Sequence, residues 1–385
     1  MTNSMQSRLV LVLAIFLALA ASAYLVRGIQ FASSERGSFD LSTRGLEYRL
    51  YSVGVYPNQI IASNALPGEM LPNSVYPPYA FPMLAPVFAW EPTVPAALIF
   101  GLLTFAALWA IGVMGYLDLR FLGWQAGILG AMSGLAIAHN SSAVAFGQFS
   151  IISMGLVVAQ MLCLRRGQVL AAGLCWALAM IKPQIGLAFA LPFLVDRNWR
   201  GLALGLGILA VLSAWACTQT HVSPLAVLDY WLRFAELDFI SAGDSQGSSA
   251  GGVLAVSGLD PRAAVSISLV AAMALAIWIW RRGDGQSPMI LLALCAILGR
   301  VFMPHRAYDN IMLFPALIAL LAITLQRRSA ACYAVAAVFG ASVWLPLTSL
   351  VRSAWLEAAL LWFWLVAAVF LITQPPGLHG NRRLH

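Results

Sequence analysis

The chain is poor in charge. Of its 385 residues, 15 are acidic and 22 basic, a charged fraction of 10%. A soluble domain carries roughly 25%, so a water-soluble globule of this length is excluded: it would have too little polar surface to cover itself. Lysine is scarcest, with Lys182 the single one. The five cysteines (Cys163, Cys175, Cys217, Cys295, Cys332) lie in or near apolar runs and form neither a C-x-x-C pair nor a metal-ligand spacing, which leaves them as apolar thiols. No paired-carboxylate D-x-D motif is present. Nothing therefore demands a cofactor, and a role for a divalent metal stays open. No second hydrophilic block is long enough for a separate soluble domain, and nothing points to nucleic acid.

What is abundant is apolar sequence. The hydrophobic fraction is 61% and the mean hydropathy +0.83. Only helices and closed barrels satisfy the backbone in lipid, and the runs here are long rather than ten-residue alternations. The predicted class is an all-α polytopic membrane protein with about 11–12 transmembrane or half-spanning helices. The predicted spans are Leu9–Val26, Thr93–Tyr116, Phe121–Ala138, Phe149–Leu164, Gln168–Ile181, Gln184–Val195, Gly201–Cys217, Ala263–Trp280, Ser287–Met303, Asp309–Gln326, Ser329–Leu347 and Trp355–Leu371. Residues 1–373 read as one domain with large outer loops at 28–92 and 218–262, followed by a tail at 374–385.

Basic residues in short loops set the orientation. Arg8, Arg165-Arg166, Arg197/Arg200, Arg281-Arg282, Arg327-Arg328 and Arg382-Arg383 share one face if the spans alternate. That face is expected to be cytoplasmic, in the plasma (inner) membrane, with both termini inside. The parity holds only if Gln168–Val195 is split at Lys182-Pro183, where proline removes a helix donor. A buried helical hairpin with Lys182 at its tip is predicted. Ala21-Ser22-Ala23 resembles a cleavage site, but the run before it is long enough to span, and an uncleaved anchor is expected. In the second outer loop, a short amphipathic helix is predicted at Pro224–Leu237, and Ser241–Gly252 reads as a mobile lid.

Several residues with chemical capacity map to the outer face. Asp40 can act as general base toward a hydroxyl, or serve as a cap or ion-pair partner of Arg36 or Arg44; Glu47, Glu69 and Glu91 compete for the role. Tyr56 and Tyr76, the latter in Tyr76-Pro77-Pro78-Tyr79, suit a pocket wall or an interfacial anchor. Gln148 follows Gly147 at a span entry, and Gln184 follows the hairpin tip. Lys182 inside a membrane domain needs an anion, either a ligand or a loop carboxylate. Arg300, His305 and Arg306, with Tyr308 and Asp309 adjacent, form a cationic group suited to a phosphate or to interfacial snorkelling.

The order of these elements resembles the glycosyltransferase 87 family of the GT-C superfamily. The likeness rests on Asp40-Leu41, Gly54-Val55-Tyr56-Pro57, Tyr76-Pro77-Pro78, Gly147-Gln148, Lys182-Pro183-Gln184 and Phe193–Trp199 with Arg200, and more loosely on His305–Asp309. The resemblance implies a GT-C-like bundle acting on the extracytoplasmic side. It implies a polyprenyl-phosphate-linked donor of mannose, another hexose or arabinofuranose, a lipid or glycan acceptor, and inversion at the anomeric carbon. Asp40 becomes the expected base. Lys182, Arg300, His305 and Arg306 become the expected phosphate group, and Tyr56, Tyr76, Gln148, Gln184 and Tyr308 the expected pocket. An O-antigen ligase or polymerase would share the lipid substrates but place its key loop later. A lipid-linked-sugar transporter would place its charges mid-membrane.

Overall fold

A computed structural model describes residues 3–59, 76–230, 249–283, 286–351 and 353–374. Among these the secondary structure is helical and no strand occurs. Among the described residues six helices are long and apolar enough to cross a membrane, or seven if the bent pair Trp124–Leu135 and Asn140–Phe146 is counted as one span, and there are five shorter apolar helices. The chain is an all-α polytopic membrane protein, and these segments coincide with the apolar runs predicted above.

The longer helices are α1 (Asn3–Ala32), α2 (Phe39–Ser52), α3 (Ala96–Leu119), α4 (Trp124–Leu135), α5 (Asn140–Phe146), α6 (Ser150–Arg165), α7 (Val169–Ala179), α8 (Trp199–Thr220), α9 (Ala250–Val256), α10 (Pro261–Arg282), α11 (Pro288–Phe302), α12 (Phe314–Arg327), α13 (Ala330–Trp344) and α14 (Ala354–Ile372). Their starts follow local chemistry. Asp260 and Ser287 accept hydrogen bonds from Ala263 N (3.0 Å) and Ile290 N (3.3 Å), each followed by a proline in the first turn. Such caps satisfy the amides that a helix leaves open.

Small residues set the packing. A methyl group at Gly115 would overlap the backbone of Gly130, joining α3 to α4, and one at Gly173 would overlap Gly201, joining α7 to α8. In lipid no hydrophobic effect drives helices together, so close backbone approach does. At the predicted cytoplasmic end, Arg165 forks onto Asp118, with Nη2 3.1 Å from Oδ2, fastening α6 to α3. The segment Ala307–Arg327, a 3-10 turn (Ala307–Leu313) leading into α12, is buried along almost its whole length. It is the centre of the bundle, with α11 against it. Helix α1 buries Ala14, Leu17 and Ala21 on the α4–α5 side.

The hairpin is present. The α7 helix ends at Ala179; Lys182 follows in an extended conformation (φ −123°, ψ 86°) and Pro183 starts the return. Trp176 Nε1 donates to Gly186 O at 3.0 Å, and the Trp176 and Phe193 rings meet at 6.2 Å. The arm Pro183–Val195 therefore runs back along α7, and Lys182 stands at the turn.

Two expectations for the outer loops change. The first loop is not irregular throughout: α1 continues to Ala32, and α2 fills Phe39–Ser52. In the second, Ser249 caps α9 by accepting from Gly252 N, so the end of the expected lid is a helix with Gly251 and Gly252 buried. The predicted helix begins at Pro224. Its remainder, Ser241–Ser248, Glu69 and the tail at 375–385 lie outside the described residues.

Candidate functional site

Four helix ends deliver one polar cluster. Helix α5 ends at Gly147, whose φ of +73° is the left-handed conformation glycine tolerates. A Cβ there would stand 2.5 Å from the Cβ of Leu41. That absent side chain lets the start of α2 lie against the entry to α6, with Ser38 N donating to Ala145 O at 2.8 Å. Gly147→Ala is therefore expected to strain the backbone and to push Asp40 from Gln148. Activity should fall at least tenfold, with a stability loss on the order of 1–3 kcal/mol, read by transfer assay and thermal unfolding of the same preparation. Full activity would show that this approach is not needed.

Gln148 donates through Nε2 to Asp40 Oδ2, and its Oε1 accepts from Lys182 Nζ at 2.9 Å. A carboxylate only accepts and an ammonium only donates, so these two neighbours fix which way the amide faces. Lys182 also donates to Ser150 Oγ (2.7 Å) and Asp309 Oδ1 (2.6 Å), and lies 4.5 Å from the centre of the Tyr308 ring. Asp309 Oδ1 takes a second bond from Ser150 Oγ at 2.6 Å; its Oδ2 stands 3.1 Å from His305 Nδ1 and 3.4 Å from Arg306 N. The result is a continuous chain, Asp40–Gln148–Lys182–Asp309–His305. Lys182, Ser150, Asp309 and His305 are buried, whereas Asp40 is only half-buried.

This geometry refines several expectations. Lys182 meets the carboxylate alternative: Asp309 is its counter-ion. Its three N–H bonds face three protein oxygens, so its reach to a phosphate is through charge rather than through a free hydrogen bond. Burial lowers the pKa of His305 more than Asp309 raises it, so the imidazole is neutral at neutral pH. With Asp309 accepting, Nδ1 carries the proton and Nε2 presents a lone pair; Nε2 is buried without a partner. Arg300 is not at the outer surface. It is buried, donates through Nε to Asn310 Oδ1 at 2.7 Å and lies 5.0 Å from the Trp364 ring centre, where it supports the 3-10 turn carrying Asp309. Arg306 is exposed beside His305.

The pocket residues divide. Tyr76 is buried and within electrostatic reach of Asp40 and Asp309, and Tyr308 of Asp40 and Tyr76. Burial raises the Tyr76 pKa, so its hydroxyl keeps its proton. Tyr56 packs instead on Phe81 and Tyr230, with ring centres at 5.6 and 6.2 Å. Gln184 is half-buried two residues beyond the hairpin tip. Arg44 pairs with Glu47 rather than Asp40, and Arg49 lies 3.5 Å from Glu91. Among the described residues, no three of His, Cys, Asp and Glu gather as a metal site. Sequence reasoning misses Ser150, although it stands two residues beyond Gln148. It finds Asp309 only as a neighbour, although this is the sole acid of the most buried apolar segment.

A protein-family model described as Glycosyltransferase family 87 matches residues 75–304, more than half of the chain. It takes in Tyr76, Gln148, Lys182 and Arg300, and leaves Asp40 and the His305–Asp309 pair to be assigned by geometry. No curated protein and no solved structure matches.

Proposed function

The chain belongs to glycosyltransferase family 87, and we propose that it moves a sugar, mannose or another hexose or arabinofuranose, from a polyprenyl-phosphate donor to a lipid or glycan acceptor on the extracytoplasmic face, with inversion. One observation carries the reading. The half-buried Asp40 is held by an amide that a buried ion pair holds in turn, and only one of its carboxylate oxygens is occupied by that amide.

Asp40 Oδ1 takes the proton of the acceptor hydroxyl. The acceptor oxygen then forms a bond to the anomeric carbon as the bond from that carbon to the phosphate oxygen breaks, and the electron pair leaves with polyprenyl phosphate. Attack opposite the leaving group inverts the centre. The developing phosphate charge is met by Arg306 at the surface and by the field of Lys182. Preorganised charge in a site poor in water typically contributes more to catalysis than any other single effect. His305 contributes a phosphate contact once it is protonated, a form that Asp309 stabilises and a second nearby anion favours. Gln148, Ser150, Asp309 and Arg300 are positioning residues.

The arginine distribution supports cytoplasmic termini, and the inner membrane is the location we assign to this helical bundle. One experiment on sealed right-side-out vesicles tests sidedness and donor together. An impermeant thiol reagent is expected to label Ser34→Cys but not Gln168→Cys, both exposed positions. Polyprenyl-phosphate sugar added outside is expected to be consumed, and nucleotide sugar is not. Labelling of Gln168→Cys, or use of the nucleotide sugar, would sink the proposal.

A further inference from the structure

Helix α2 buries charge beside its apolar residues: Leu41 and Tyr51 face inward, and so do Arg44 and Glu47. A helix at a membrane surface normally turns its apolar stripe inward and its charges to water. Here Arg44 and Glu47 are buried on the helix face that begins at Asp40, while Phe39 is exposed. Arg44 Nη1 lies 2.6 Å from Glu47 Oε2, and its guanidinium stacks 4.4 Å from the centre of the Tyr76 ring. Asp40, Arg44 and Glu47 are spaced i, i+4 and i+7, which puts them in one row about 10 Å long.

The chain then turns back at the end of α2. Gly54 takes φ +83°, Val55 N donates to Leu50 O at 2.9 Å, and Gln59 N donates to Tyr56 O at 2.9 Å. The turn brings Tyr56 within electrostatic reach of Glu47. Tyr56 and Asn58 are both wholly buried, and the Tyr56 hydroxyl and both polar atoms of the Asn58 amide lack a hydrogen-bond partner. A buried amide or hydroxyl left unbonded costs stability, which folding alone gives no reason to retain.

We propose that the inward face of α2, with Tyr56 and Asn58, is a subsite for an uncharged sugar, the saccharide end of the acceptor. The proposal rests on the transferase reading above and adds to it the place and chemical class of the acceptor. The groups suit a neutral polyol. The amide donates and accepts, as vicinal hydroxyls do. The phenol does the same. Arg44 and Glu47 cancel in charge, so the row does not select an ion, and the Tyr76 ring offers an apolar face beside them. The row ends at Asp40, where the acceptor hydroxyl must arrive and where Gln148 links the base to Lys182.

The test uses the purified full-length chain and a panel of methyl glycosides of hexoses and pentoses, read by thermal unfolding against equal concentrations of sorbitol. At about tenfold over its dissociation constant, at least one glycoside is expected to raise the unfolding temperature by about 1–3 °C, and inorganic phosphate is not expected to reproduce that shift. The shift should vanish in Asn58→Leu and in Tyr56→Phe, which removes one oxygen only. Without glycoside, both variants should unfold no lower than the wild type. Asp40→Asn should keep the shift, so failure of the base assignment and failure of this one are told apart. The proposal is overturned if no glycoside shifts the wild type, if the shift survives in both variants, or if both variants unfold several degrees lower, the mark of groups satisfied by an internal water.

Discussion

Asp40→Asn is expected to lower sugar transfer by about 10²–10⁴-fold and to leave folding unchanged. The substitution keeps the shape of the side chain, and its carbonyl oxygen still accepts the Gln148 Nε2–H that now reaches Asp40 Oδ2. Gln148 stays fixed from its other end by Lys182 at 2.9 Å. What disappears is the capacity to take a proton. Asp40 is half-buried at the head of α2, so no buried charge is stranded and the unfolding temperature should match the wild type. Activity within a few-fold of wild type would remove Asp40 from the chemistry. It would turn attention to His305, whose Nε2 is buried without a partner in the same cluster.

Lys182→Met is expected to act on stability and on activity together. Lys182 and Asp309 are 2.6 Å apart and nearly inaccessible, with side-chain exposures of 3% and 1%. Removing one partner of a buried pair typically costs about 3–5 kcal/mol, because the other charge is left uncompensated. Asp309 would keep only Ser150, His305 and the Arg306 amide. Gln148 would lose the donor to its carbonyl oxygen and with it the reason to face Asp40. The double variant Lys182→Met with Asp309→Asn removes both charges and should recover much of the stability without recovering transfer. Thermal unfolding of wild type, both single variants and the double variant gives the coupling directly. Four equal unfolding temperatures would mean that the pair carries no structural load.

Much of this is legible in the chain, and the reasons are specific. The hairpin follows from two local facts: a proline beside the only lysine, and arginine pairs that share a face only if the chain reverses there. The gathering of Asp40, Gln148, Lys182 and the His305–Asp309 turn on one face follows from counting spans. The partners within the cluster are not legible. Lys182 and Asp309 are separated by 127 positions, and no local pattern announces such a pair. Arg300 reads as an interfacial cation because it ends an apolar run; Trp364, from the last helix, covers it. Helix α2 reads as loop because proline-rich sequence follows it, and because the charged residues Arg44 and Glu47 share its buried side with Leu41 and Tyr51. The binary pattern fails there, and a failure of pattern is a reasonable mark of a site.

The most direct measurement compares purified wild type and Asp40→Asn, given polyprenyl-phosphate mannose or polyprenyl-phosphate arabinofuranose with membrane-extracted acceptor lipid. Release of polyprenyl phosphate and formation of the glycoside are followed together. The assignment of Asp40 as base of a lipid-phosphate-dependent transferase requires that the wild type form both products in equal amounts from at least one donor. It also requires that the equally stable variant form neither at more than about one hundredth of that rate. Equal rates for the two proteins, or no release from either donor by the wild type, would contradict it.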